Sequence, residues 1–302
     1  MPAIVVDQLH KSYGDVRAVD GVSFEVTEGE VYGLLGHNGA GKSTTVEILE
    51  GHRKATAGDV SVMGLNPVTS GRELRDRIGI VLQSSQVETD LTVREALRFY
   101  GSCYRRRREI DDVIEMVGLT EKADDRIGTL SGGQKRRIDL GLGIIGTPEV
   151  LFLDEPTTGF DPVARRQSWE LVRRLCDGGA TVLLTTHYLD EAEYLADRVG
   201  VLAGGRMVAE GTPDELMSTV PDATISFDLP SGLSAVDLGV PASADVERGC
   251  VNILTEAPTA VLAPIVAAAA DRGVELMNLS VRRPSLEDVF LRLGENGDGG
   301  TP

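Results

Sequence analysis

The stretch Gly36-His37-Asn38-Gly39-Ala40-Gly41-Lys42-Ser43-Thr44 sets glycines, a lysine and a hydroxyl at the spacing GxxxxGK[ST]. That spacing suits a loop wrapped around a polyphosphate. Glycine lets backbone N–H groups approach an anion with no Cβ in the way, Lys42 would reach the outer phosphates, and the Ser43 hydroxyl is placed for Mg²⁺. A glycine-rich turn that binds nothing is the plain alternative, but it leaves the Lys-Ser pair unexplained. A second chemical group follows at Leu151-Phe152-Leu153-Asp154-Glu155. Here an apolar run ends in two carboxylates, one suited to hold the metal ion and the next to orient or deprotonate an attacking water. A third stretch, Leu130-Ser131-Gly132-Gly133-Gln134, puts a serine and two glycines at the start of a helix, again an anion-binding arrangement. One nucleotide needs one cradle, so two of them suggest sites completed across a dimer; an ordinary helix capped by Ser131 is the other reading.

These groups need elements to hold them. Val31-Tyr32-Gly33-Leu34-Leu35 reads as a short buried strand, and Val46, Ile48 and Leu49 mark the apolar side of a helix opening near Gly41. The loop thereby lies at a helix N-terminus, where unpaired N–H groups and the helix dipole favour negative charge. Val150 to Leu153 and Val182 to Leu184 are apolar runs ending in polar residues, the pattern of parallel strands covered on both faces with active groups at their C-terminal ends. Near the N-terminus, residues 4–6 and the alternation Val22-Ser23-Phe24-Glu25-Val26 predict antiparallel strands with turns at Gly14-Asp15 and Asp20-Gly21, Tyr13 falling in the first turn. Between Gln83 and Ser131 the pattern becomes helical, over Val93–Tyr100 and Ile110–Val117. The basic run Arg105 to Arg108 is expected to cap the preceding helix and stay solvated.

Beyond Val220 a β-β-α-β-α pattern begins. It has strands around Ile225 and Phe227, at Val251 to Leu254 and at Val274 to Val281, and a helix over Pro258 to Asp271 with Val261, Leu262, Ile265, Val266 and Ala269 on one face. A last helix starts at Ser285 with Asp288 as its capping-box partner. Residues 295–302, glycine-rich and acidic, are expected to be disordered. The organisation expected is therefore residues 1–219, with a helical subdomain over about 84–135, then a small α/β domain over 220–294 and the tail.

Composition narrows the function. The chain has 302 residues and a net charge of −17, spread as −10 before residue 220 and −7 from there on. So acidic a surface disfavours nucleic acid and offers nothing to an anionic membrane leaflet. The longest apolar run, Val261 to Ala270, is interrupted by Pro264 and is far short of the roughly 20 residues that span a bilayer. The N-terminus shows no basic-then-apolar leader. Cys103, Cys176 and Cys250 fall in no CxxC pair, which fits a reducing compartment.

Taken together, the loop at 36–44, Leu130 to Gln134 and the strand ending in Asp154-Glu155 resemble the ATP-binding cassette of ABC transporters, over about residues 4–218. The resemblance implies a P-loop NTPase of α/β class, with a mostly parallel core sheet, an antiparallel β subdomain and a helical subdomain. It implies ATP and Mg²⁺ as cofactors and two cassettes sandwiching two ATP molecules. By motif it assigns Tyr13 to adenine stacking, and Gly36, His37, Asn38, Gly39, Ala40, Gly41, Lys42, Ser43 and Thr44 to the phosphates. Ser43, Gln83 and Asp154 are assigned to Mg²⁺, Glu155 to water activation, and His187, after Thr185-Thr186, to the γ-phosphate. Ser131, Gly132, Gly133 and Gln134 would arrive from the other protomer, and Asp161 closes the loop Gly159-Phe160-Asp161, where the family usually has leucine in place of Phe160. Pro284 to Leu291, Gly36-His37-Asn38 and Glu47 to His52 are further similar to the drug-resistance exporter ATPases, including the daunorubicin/doxorubicin group. That implies an ATPase powering export of a drug, antibiotic or lipid-like substrate through a separate membrane-spanning permease, which would hold the chain at the cytoplasmic face of the membrane. A cassette exporting polysaccharide or sodium is one alternative. A soluble ABC ATPase acting on ribosomes or DNA is another, disfavoured by the acidity and by the single cassette.

Overall fold

The computed structural model describes residues 1–82, 87–220 and 223–297. The chain divides into two compact units, Met1–Pro213 and Asp214–Pro302.

The first unit opens with two long strands, β1 (Pro2–Tyr13) and β2 (Val16–Thr27), followed by β3 (Val31–Gly36), α1 (Lys42–Leu49) and β4 (Ala57–Val62). Next come α2 (Gly71–Arg75), β5 (Ile78–Val81), α3 (Val93–Gly101), α4 (Ile110–Met116) and α5 (Gly132–Ile144). The unit is completed by β6 (Val150–Asp154), α6 (Pro162–Asp177), β7 (Thr181–Thr185), α7 (Leu189–Leu195), β8 (Arg198–Ala203) and β9 (Arg206–Gly211). Strands β2-β1-β4 form an antiparallel sheet, and β5-β6-β7-β3-β8-β9 a second sheet that is parallel except for its edge strand β9. Strands β3 and β7 are buried along their whole length, and β6 up to its final aspartate. Near-continuous apolar strands of this kind need cover on both faces, which the flanking layers supply. On one side Phe24 stacks on Tyr32 with ring centroids 5.1 Å apart, joining the antiparallel sheet to the parallel one. On the other side Leu97, Val113, Ile114 and Ile138 of the helical segment share a core with Leu151, Leu153, Val182 and Leu184.

Turn chemistry at Asp20-Gly21 did not prevail: both residues lie inside β2, and the register shifts between Leu9 and His10 absorb Gly21, whose φ is +78°. Pairing along β1 outweighed the local turn preference. The arginine run does not cap α3, which ends at Gly101 with Ser102 as its C-cap; Arg105 pairs with Asp76 at 3.1 Å, and the Arg108 amide donates to the Ile145 carbonyl at 2.9 Å. The run stays solvated, with Arg105, Arg106 and Arg107 exposed.

The second unit contains α8 from its second residue on (Pro213–Ser218), β10 (Ala223–Asp228), β11 (Asp245–Glu247), β12 (Cys250–Thr255), α9 (Pro258–Asp271), β13 (Met277–Arg282) and α10 (Leu286–Gly297). Its antiparallel sheet runs β11-β12-β10-β13. Ile225, Phe227, Val251 and Ile253 pack with Ile265 and Ala269 of α9 in a small core that Leu238 and Val240 close. Of the face expected on α9, Val266 turns outward. β13 starts three residues later than Val274, and the short β11 was not foreseen. Helix α10 continues through Gly297, so residues 295–297 are helical; residues 298–302 of the expected disordered tail lie outside the described residues. Edge strand β13 is exposed throughout, and its register with β10 shifts next to Asn278, whose φ is +54° and whose Nδ2 donates to Asp228 Oδ2 at 2.7 Å.

Candidate functional site

The site forms at the C-terminal ends of β3, β6 and β7. Parallel pairing puts Asp154 opposite Thr185 and Thr185 opposite Leu34, two residues before the phosphate loop begins. In open α/β sheets this carboxyl edge is where ligands bind.

The loop is held by close contact. A Cβ at Gly36 would come within 2.5 Å of the Leu202 carbonyl oxygen and 2.9 Å of Ala40 Cβ. At Gly41, with φ +103°, it would reach 2.4 Å from the Ala18 carbonyl oxygen. Both positions require glycine because backbone already occupies the space. Gly41 is the N-cap of α1, and the Thr45 hydroxyl donates to its carbonyl at 2.9 Å. Lys42 is buried and donates to the carbonyls of Gly36 at 2.6 Å and His37 at 3.1 Å. Burial pulls the Lys42 pKa down, while Glu155 and Asp154 pull it up. Ala40 is buried in the core, and Asn38, Gly39, Gly41, Lys42, Ser43 and Thr44 line a cleft of about 530 Å³ together with Asp154, Glu155 and residues 16–18 of β2. Tyr13, half exposed, pairs across the first turn with Val16 of that wall. The Lys11 ammonium and the Arg53 guanidinium lie 5.2 and 5.5 Å from its ring centroid.

The carboxylates are oriented from behind. Asp154 Oδ1 accepts from the Thr185 hydroxyl. Glu155 adopts φ +47°, with its amide donating to the Thr185 carbonyl at 2.9 Å. Its Oε1 lies 3.0 Å from His187 Nδ1, and its Oε2 accepts from the Thr158 hydroxyl at 3.3 Å. The structure thus brings Lys42, Ser43, Asp154, Glu155 and His187 together. Ser131 and Gln134 instead close a capping box on α5, with Ser131 N to Gln134 Oε1 at 2.9 Å. Residues 131–134 are absent from the described lining of the cleft. Asp161 caps α6 by accepting from the amides of Val163 and Ala164, both at 2.9 Å, and Phe160 is buried. Gln83 lies outside the described residues.

Three supports had not been singled out from the sequence. Arg136 binds the carbonyls behind the two carboxylates. Thr185 orients Asp154; it precedes the histidine in the sequence and could have been flagged from its place at a strand end. Buried Glu191 accepts from Thr157 and Trp169, each at 2.9 Å, and joins the loop after Glu155 to α6 and α7. Burial raises its pKa.

The match to known proteins decides the family. Residues 19–158 match the ABC transporter family model, and residues 223–285 that of the ABC transporter domain-containing protein-like C-terminal domain. A daunorubicin resistance ATP-binding protein of Streptomyces coeruleorubidus is 41% identical over 96% of this chain and 94% of its own length. The chain belongs to the ABC transporter ATP-binding proteins. A Nod factor export ATP-binding protein of Rhizobium meliloti is likewise 41% identical, over 96% of this chain and 88% of its own. Among solved structures, a dimeric ATP-binding cassette in a post-hydrolysis state with ADP and Pi superposes with a TM-score of 0.63 at 25% identity, over 69% of this chain and 98% of that one. This ABC protein is therefore a nucleotide-binding ATPase with the cassette fold and an appended C-terminal domain. Among its described residues no helix is long and apolar enough to cross a membrane.

Proposed function

We propose that this ABC protein hydrolyses ATP to power export of a drug, antibiotic or lipid-like molecule through a separate membrane-spanning permease, as a dimer of cassettes enclosing two ATP molecules. The observation that carries the reading is the convergence of Lys42, Ser43, Asp154, Glu155 and His187 at one sheet edge. Its relatives in drug resistance and Nod factor export point the same way for the export direction. In this reading Tyr13 stacks on adenine, and the amides of residues 36–44 and Lys42 hold the phosphates. The Ser43 hydroxyl and Asp154 carboxylate form a hard oxygen donor set suited to Mg²⁺, with Gln83 as a further ligand. Bound there, Mg²⁺ would neutralise charge on the outer phosphates. Glu155 orients and deprotonates water, and His187 steadies that carboxylate and contacts the γ-phosphate. Ser131, Gly132, Gly133 and Gln134 contribute from the second protomer, and Asp161 fixes the loop between the two sites. The permease would keep the protein at the cytoplasmic face of the membrane.

Glu155→Gln tests the chemistry. ATP binding should persist while turnover falls by at least about 100-fold, and the ATP-bound dimer should accumulate in size-exclusion chromatography. Wild-type turnover in this variant removes Glu155 from the role of base. Mild detergent extraction of the tagged protein from its native membranes should bring down a stoichiometric multi-span partner; recovery of ribosomal or DNA-associated proteins instead ends the export reading.

A further inference from the structure

Arg136 is buried, at 7% exposure, in the second turn of α5. Its guanidinium spans three parts of the chain. Nε donates to the Pro156 carbonyl at 3.0 Å, one terminal nitrogen donates to the carbonyls of Asp154 at 2.9 Å and Glu155 at 2.8 Å, and the other donates to the Leu82 carbonyl. Asp139 Oδ2 lies 3.8 Å away. A guanidinium offers five N–H donors in a rigid plane, and a buried charge is tolerated when its donors are engaged. An ammonium has three donors on a point charge and cannot reproduce that fork.

What the fork holds matters more than what it costs. Asp154 and Glu155 supply the carboxylates of the site, and Glu155 stands in a left-handed backbone conformation, φ +47°, that a non-glycine residue keeps only when its surroundings over-determine it. The Arg136 bonds to three consecutive carbonyls, 154, 155 and 156, are one such determinant. The bond to Leu82 attaches the residue immediately before Gln83, and the arginine itself rides on the helix opened by Ser131-Gly132-Gly133. We propose that Arg136 is a positioning residue for hydrolysis: it fixes the backbone of Glu155 and ties that orientation to the placement of α5 and of the segment entering Gln83. The proposal rests on the reading of Glu155 as the water-activating group. Nucleotide affinity is set by the phosphate loop and is not its task, so its loss should fall on kcat.

The test uses the full-length protein and measures ATP affinity, kcat, KM and Tm. Arg136→Lys should leave ATP affinity and KM within about threefold and lower kcat at least tenfold, since a displacement near 1 Å at a reacting group costs up to about 100-fold. Arg136→Ala should lose at least as much and regain kcat severalfold in millimolar guanidinium but not in methylammonium. On a Glu155→Gln background Arg136→Lys should cost less than about twofold further, because both changes act on one step. Wild-type kcat in Arg136→Lys overturns the proposal, as do an equal fall in affinity and kcat, a failure of guanidinium to rescue, or multiplicative losses in the double variant. If Arg136→Ala does not fold, the lysine variant and the double variant decide. Wild-type turnover in Glu155→Gln alone would instead remove the reading on which the proposal rests, a distinct result.

Discussion

At the scale of single residues, the site sets the buried Lys42 ammonium near the carboxylates of Asp154 and Glu155. Lys42→Ala removes the group whose ammonium bridges the Gly36 and His37 carbonyls; ATP affinity, read by equilibrium fluorescence, should fall at least tenfold, and unchanged affinity would clear Lys42 of phosphate contact. Glu50 offers a pH-dependent measurement. Burial, with Asp154 and Glu47 adding, pushes its carboxyl from the ordinary 4.5 to about 8. The native state therefore keeps a proton that the unfolded chain has released. Its contribution to stability is complete below pH 4.5 and is lost as pH rises through about 8. Tm should fall between pH 4.5 and about 8 more steeply in the wild type than in Glu50→Gln; parallel profiles would rule this out. The phosphate loop and Asp154-Glu155 were legible as local strings because their chemistry lies in consecutive residues. Arg136 was not, since its carbonyl partners stand 18 to 54 residues away along the chain and its own neighbours give no sign of them.

At the scale of elements, α5 carries both a cap and a tight seam. Ser131→Ala should cost about 1 kcal/mol through the lost capping box. Ser131→Asp keeps an N-cap, so stability to urea should stay within about 0.5 kcal/mol of wild type. Its added charge would nevertheless oppose phosphate in the proposed partner site, and turnover should fall; full activity in that variant would leave Ser131 a cap and nothing more. The seam is with β5. A Cβ at Gly79 would come within 2.0 Å of the Gly143 carbonyl oxygen, and one at Gly143 within 2.6 Å of Val81 Cγ2. Gly79→Ala forces backbone to move and should lower stability by at least about 1–3 kcal/mol in urea titration. Hydrophobic runs revealed the buried strands because strands covered on both faces must be apolar throughout. The same reading misplaced a turn at Asp20-Gly21 and missed β11, a three-residue strand whose position is set by pairing with β12 rather than by its own residues.

At the scale of the whole molecule, each unit has its own core: the cassette has two large clusters, and the C-terminal unit a small one around Phe227. Calorimetry should therefore show two transitions, with ATP raising only the one that belongs to Met1–Pro213. A single transition shifted as a unit by ATP would mean that the two fold as one cooperative block. The two compact units divide between Pro213 and Asp214, inside α8, while the sequence pattern sets residues 1–219 apart from 220–294. Helix α8, six residues long, is too short to display a period in the sequence.

The outer strand of the C-terminal sheet bears on solubility. β13 leaves Met277 61%, Leu279 40% and Val281 47% exposed beside an edge that no strand among the described residues occupies. A straight edge with such side chains would template fibrous stacking at the concentrations reached during synthesis. The left-handed backbone at Asn278, pinned to Asp228, breaks the regularity of β13 near its start. The interruption shortens the stretch of regular edge with which another chain could pair.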